Sequence, residues 1–285
     1  MTSESPAQIQ TRRVRVDDVE LHCEIAGEGE TLLLIHGLGS CTADWAPQVA
    51  HFRDAYRVVT FDLRGHGRSS KSREGYSIER FARDTAGLLD ALGTGPVHVA
   101  GISLGGMVAF RLAVDAPQRL KSMAIVNSGP EVPAQTFKQR LPLYVRLFYI
   151  HALGLHKMAK KLAKHLFPEP AQGDLRSRFV ARLAGNEKRC YIATLRAIFA
   201  GWGVADRLSE IRCPVLFIAA DQDYTSVELK QSYVDRMPNA GMVVIPSSRH
   251  ALPMEKPREF NRALADFLAP LAAQADAARS VQDAQ

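Results

Sequence analysis

Cysteine is scarce in this sequence: four residues, Cys23, Cys41, Cys190 and Cys213, with no Cys-x-x-Cys pair among them. That scatter excludes a disulfide framework or a thiolate zinc site and predicts reduced thiols packed as small hydrophobes. A long apolar run is also missing, so no stretch could span a bilayer, and Met1 to Gln10 lacks the basic start and apolar core of a secretory signal. A cytoplasmic protein without a transmembrane segment is therefore expected. No His-Glu-x-x-His motif and no cysteine–histidine cluster suggests a metal, no Gly-x-Gly-x-x-Gly opens a helix behind a strand, and no Walker loop occurs. Metal and dinucleotide chemistry lose their usual anchors, and no cofactor is expected. The formal net charge of +6 is too small to imply nucleic acid as a partner.

What is present is an ordinary globular composition over 285 residues, enough chain for a sizeable core. Strand-like runs cover Thr11 to Val16 and Val19 to Ile25 about an Asp17-Asp18 turn. Thr31 to Ile35 follows, with the unbroken apolar character of a strand buried on both faces. Further strands are expected at Arg57 to Phe61, from Val97 into Gly101, at Leu120 to Val126, Pro214 to Ala220 and Met242 to Ile245. Helices are expected at Asp44 to Phe52, from an N-capping Ser77 to Leu92, behind Ser103 to Asp115, at Val227 to Arg236 and at Pro257 to Leu268. This alternation predicts a mostly parallel sheet with helices on both faces. From 131 to 208 strands stop, and helical segments broken at Pro142, Gly154, Pro168-Glu169-Pro170 and Gly185 predict a cap inserted after the sixth strand. The expected organisation is a core of residues 1–130 and 209–270, a helical cap of 131–208, and a small, polar, disordered tail of 271–285.

Chemistry concentrates at Gly101-Ile102-Ser103-Leu104-Gly105-Gly106. A strand turning sharply into a helix lifts a serine hydroxyl above the sheet edge, and the glycines make room where β-carbons would collide. Alone, Gly-x-Ser-x-Gly is a common chance turn. A serine nucleophile needs a base to take its proton and a carboxylate to orient that base. Of nine histidines, only His250 follows a late strand in a loop. Asp221 and Asp223 both follow the strand ending at Ala220, and Asp223 sits further into the loop, with more freedom to reach His250. The order Ser103, Asp223, His250 is the chain order of α/β-hydrolase triads.

With His36-Gly37-Leu38-Gly39 and Asp62-Leu63-Arg64-Gly65-His66-Gly67-Arg68-Ser69 added to these residues, the chain resembles the α/β-hydrolase superfamily from about Thr11 to Leu268. Within it, the chain is similar to small carboxylesterases and 3-oxoadipate enol-lactonases. The resemblance implies the α/β-hydrolase fold and an acid three residues after the small residue that closes its strand. Ala220 and Asp223 fit that spacing, with Asp221 as the fallback. It also implies an oxyanion hole formed by the backbone N–H groups of Leu38 and Leu104, where one lost donor typically costs ~3 kcal/mol of barrier. The implied activity is cleavage of a carboxylic ester, lactone or thioester through an acyl-enzyme on Ser103. Cofactor-free haloperoxidases and carbon–carbon bond hydrolases share the scaffold and stand as alternatives, as does a hydrolase-like binding protein with little turnover. The segment from Asp62 to Ser69 and His36 read as architectural rather than catalytic.

Charge is distributed unevenly. Glu131 to Ala200 holds thirteen Lys or Arg against four Asp or Glu, a net +9 in a chain of +6. Leu155, Met158, Leu162 and Leu166 share one helical face, with Lys157, Lys160, Lys161 and Lys164 largely away from it. The plain reading is a cap helix with an apolar side inward and a solvated basic side. The sharper one is attraction of an anionic or lipid-like small-molecule substrate, or weak contact with a membrane surface.

Overall fold

The computed structural model describes residues 9–133 and 136–283, with side chains to residue 273. Its single sheet contains β1 (Gln10–Val16), β2 (Val19–Ala26), β3 (Thr31–Ile35), β4 (Arg57–Phe61), β5 (Val97–Ile102), β6 (Leu120–Val126), β7 (Val215–Ala220) and β8 (Ala240–Ile245). The spatial order is β1-β2-β4-β3-β5-β6-β7-β8. Only the β1–β2 and β2–β4 pairs are antiparallel. The helices are α1 (Ala46–Phe52), α2 (Ile78–Ala91), α3 (Leu104–Asp115), α4 (Phe137–Leu166), α5 (Gly173–Ala184), α6 (Lys188–Ile198), α7 (Val227–Val234), α8 (Leu252–Glu255) and α9 (Pro257–Asp283).

The unbroken apolar run of β3 is explained by its two covered faces. Leu33 and Ile35 pack with Phe81 and Leu88 of α2 and Phe110 of α3, whereas Leu32 and Leu34 pack with Phe52 of α1 and Phe260 and Leu264 of α9. Alternation of side chains across the strand sends successive residues into separate cores. The Ser77 hydroxyl accepts from the Arg80 N–H, which caps α2. The helices α4, α5 and α6 lie between β6 and β7 in sequence, so the helical insertion fits a cap over a mostly parallel core. Among the described residues no helix is long and apolar enough to cross a membrane.

Two local expectations change. Helix α4 runs through Pro142, while Gly154, with φ of 77° and ψ of 167°, leaves the helical region as expected. Pro142 lies near the start of α4, and the Lys138 carbonyl it fails to bond belongs to an exposed residue that water can reach. Helix α9 continues to Asp283, across most of the 271–285 segment expected to be disordered. Alanine, the strongest helix former, recurs there and outweighs the polar composition; residues 284–285 lie outside the described residues.

The Asp62–Ser69 turn is built around buried charge. Arg64, with a fully buried side chain, donates to both oxygens of Asp84 at 2.8 and 2.9 Å and to both of Asp18 at 2.8 Å. Asp62 accepts from the N–H groups of Thr42 and Arg68, at 2.8 and 2.7 Å. These contacts tie β4 to the helix and hairpin beside it.

Candidate active site

Between β5 and α3 the backbone passes through Ser103 with φ of 54° and ψ of −116°, a conformation that costs a non-glycine residue about 1–3 kcal/mol. The surroundings enforce it. A β-carbon on Gly101 would stand 2.4 Å from the Gly105 carbonyl oxygen, and one on Gly105 would stand 2.1 Å from that of Ile35. The Ser103 N–H donates to the Val126 carbonyl at 3.0 Å, and the Ser128 hydroxyl donates to the Ser103 carbonyl at 2.7 Å. Leu104 opens α3, so its N–H belongs to the first turn, which lacks intrahelical acceptors.

The loop after β3 approaches the same point. A β-carbon on Gly37 would lie in ordinary contact, 3.5 Å, with the Ser103 Cβ, which places the Gly37–Leu38 backbone beside the serine. His36 holds this loop: its Nδ1–H donates to the Gly37 carbonyl at 2.8 Å, and its Nε2 accepts from the Leu63 N–H at 3.0 Å. From the cap, the Asn186 side chain donates to the Gly39 carbonyl at 2.9 Å.

His36 is fully buried, as is His66, and their rings lie 5.3 Å apart. Burial pushes both imidazoles down, that of His66 to about 3. His66 stays neutral in the native protein while unfolded imidazoles take up protons below about pH 6.5. Its stabilisation is therefore complete above about pH 6.5 and is lost as pH falls toward the folded value. Between pH 7.5 and 5.5 His66 is expected to remove about 1.4 kcal/mol of unfolding free energy, with His36 acting in the same direction. Urea unfolding at both pH values checks this, and His66→Asn should lessen the loss by about that amount; an unchanged pH slope in that variant would contradict it.

Asp223 and His250 lie on the loops that follow β7 and β8, at the carboxyl edge that also carries Ser103. His250 Nδ1 and Asp223 Oδ1 are 2.6 Å apart. Asp221 is engaged elsewhere, accepting from the N–H groups of Ser247 and Ser248 at 2.9 and 3.0 Å. The second Asp223 oxygen accepts from Lys230 Nζ at 2.8 Å and from the Thr225 hydroxyl at 2.9 Å. Both side chains of the Lys230–Asp223 pair are 1% exposed. Burial alone would raise the Asp223 carboxyl, but the adjoining His250 and Lys230 outweigh it and hold the group well below the usual carboxylate range.

Three neighbours went unread in the sequence. Asn127, with φ of 44°, accepts from the Ala220 N–H at 2.8 Å and donates to the carbonyls of Arg249 and His250, both at 3.1 Å. It joins the ends of β6 and β7 to the histidine loop. Tyr224 lays its ring 4.5 Å from that of His250, and His165 of α4 stacks on Tyr224 at 5.7 Å. Lys230 had one available signal: it sits three and four residues before Tyr233 and Val234, on the buried face of α7.

A mostly parallel sheet whose fifth strand turns through a serine into a helix, with a histidine–aspartate pair at the same edge, defines the α/β class of hydrolases. The alpha/beta hydrolase family model matches residues 32–263, and the chain belongs to that family. A relative in Variovorax paradoxus (strain S110), named carbamate hydrolase RutD, is 33% identical over 276 residues, covering 89% of this chain and 97% of its own. Among solved structures, the enol-lactonase from Burkholderia xenovorans LB400 superposes with a TM-score of 0.84 at 24% identity, covering 90% of this chain and 100% of its own. Est816, described as an N-acyl homoserine lactone degrading enzyme, gives a TM-score of 0.77 at 28% identity over 90% of this chain and 100% of its own. The protein is an α/β-hydrolase enzyme.

Proposed function

We propose that the chain is a serine hydrolase that cleaves a carboxylic ester, lactone or thioester through an acyl-enzyme on Ser103. The observation that carries this reading is the 2.6 Å His250–Asp223 hydrogen bond on the sheet edge of the Ser103 elbow. A proton on Nδ1, donated to Asp223, leaves the Nε2 lone pair free to take the Ser103 proton as its oxygen attacks the carbonyl. Asp223 stabilises the imidazolium so formed. The amides of Leu38 and Leu104 receive the oxyanion, the leaving group takes the proton from His250, and water enters by the reverse route. None of these steps calls for a cofactor.

The carbamate hydrolase name of the Variovorax relative favours a second substrate class, a carbonyl bonded to nitrogen, attacked by the same groups. In this reading residues 131–208 act as the cap over a core of 1–130 and 209–270. Four free cysteines accord with a reducing, cytoplasmic setting. A groove of about 770 Å³ on the cap, lined in part by Lys157, Lys160, Lys161, Lys164 and Arg176, supports attraction of anionic substrates or a weak membrane contact.

A fluorophosphonate probe is expected to label Ser103 alone, and a panel of ester, lactone, thioester and carbamate substrates should then rank the class. Running the panel with anionic and with neutral vesicles across a salt series separates surface contact from substrate attraction. Absence of a Ser103 adduct would remove the nucleophile and the mechanism with it.

A further inference from the structure

Arg146 of α4 turns its side chain into the protein, where its Nε is shielded from water and lacks a hydrogen-bond partner. Its Nη2 donates to the Tyr191 hydroxyl, and the guanidinium carbon lies 5.5 Å from the centre of the Tyr191 ring. Among the described residues no carboxylate pairs with it. A half-buried cation with an idle donor is costly unless an acceptor arrives from outside the chain.

The place of this cation is defined by Tyr191. Tyr191, 1% exposed, rests on the loop that carries Leu38: a β-carbon on Gly39 would approach its Cε2 to 2.9 Å. Burial raises the Tyr191 hydroxyl against the opposing charge of Arg146. The guanidinium thus acts on a residue that touches the loop carrying Leu38.

We propose that Arg146, together with the Tyr191 hydroxyl, receives a carboxylate carried by the substrate close to its scissile carbonyl. This rests on the serine-hydrolase reading of Ser103. A planar guanidinium suits a carboxylate, and the tyrosine oxygen that accepts from Nη2 keeps its own proton to donate. One positive charge balances a monoanion. The lysine-lined groove around Lys160 is a separate feature with a different set of lining residues, none of them Arg146 or Tyr191.

The test compares mono-p-nitrophenyl glutarate with p-nitrophenyl butyrate, esters of similar acyl length that differ in the terminal carboxylate. The wild-type protein is expected to favour the glutarate ester in kcat/KM. Arg146→Gln should reduce that preference by ~30-fold, mainly through KM, and Tyr191→Phe should reduce it less. Arg83→Gln, at an exposed arginine of α2, should leave the preference at its wild-type value. Calorimetric titration with glutarate should show binding that weakens by a similar factor in Arg146→Gln. A wild-type preference for butyrate, or an equal fall in Arg83→Gln, would overturn the assignment. If Arg146→Gln does not fold, Tyr191→Phe and Arg146→Lys decide by the same ratio. Failure of the serine reading is separable: neither ester would be cleaved and Ser103 would take no probe, while the glutarate titration would still report on Arg146.

Discussion

Replacing Ser103 with alanine is expected to lower kcat by about 10⁶-fold, the loss seen when a triad nucleophile is removed. Adduct formation with a fluorophosphonate should vanish, and the thermal midpoint should stay close to wild type because alanine keeps the same backbone strain. Glycine at this position separates catalysis from folding. With φ of 54° and ψ of −116°, the serine occupies backbone space that glycine enters freely. Ser103→Gly should therefore be as inactive as the alanine variant yet more stable by about 1 kcal/mol. Steady-state kinetics and calorimetric unfolding of both variants provide the check. An alanine variant retaining more than a few per cent of activity would move the nucleophile elsewhere.

Asp223→Ala carries two losses at once. Without the carboxylate, His250 loses the group that fixes its tautomer, and kcat should fall by about 10⁴-fold. The same change leaves Lys230 as a buried cation with no opposite charge, since Asp223 is its ion-pair partner and its other hydrogen bond goes to the neutral Thr225 carbonyl. Removing one member of a buried pair costs about 3–5 kcal/mol, which for a chain of this size is roughly a 10 °C fall in Tm. Adding Lys230→Met should restore most of that stability, because an apolar pair of similar volume tolerates burial, and should restore none of the activity. Equal stability of the single and double variants would show that Lys230 is not held by this carboxylate. The acid limb follows from the same pair. Because the folded carboxyl is held low, its contribution is complete above the unfolded value near pH 4 and is lost as pH falls through the folded one.

Much of the architecture was legible along the chain. Strand positions from β2 to β7 follow from apolar runs, since burial on one or both faces repeats every residue or every second residue. The capped start of α2 at Ser77 and the glycines flanking Ser103 are likewise local signals. Where local signals compete, reading was poorer. Pro142 seemed to end a helix that in fact passes through it, and the alanines after residue 271 were taken for a frayed tail. In both cases a residue's average preference was set against the particular place where its cost falls.

The candidate site divides along the same line. Ser103, the glycine loop at Gly37, and a late histidine behind a strand can be found by spacing, because each sits at the end of an element that the residue pattern itself defines. Spacing favours Asp223 but keeps Asp221 as a fallback; the two part only in the fold, where the loops offer Asp221 the amides of Ser247 and Ser248 and offer Asp223 the ring of His250. Lys230 beneath Asp223, Asn127 beneath the histidine loop, and Arg146 against Tyr191 belong to the same kind of fact. Each is a contact between a side chain and a group on another element or loop, set by sheet order and loop conformation. Periodicity records which face of an element is buried; only the assembled fold decides which buried or half-buried charge meets which partner, and which one is left waiting for a ligand.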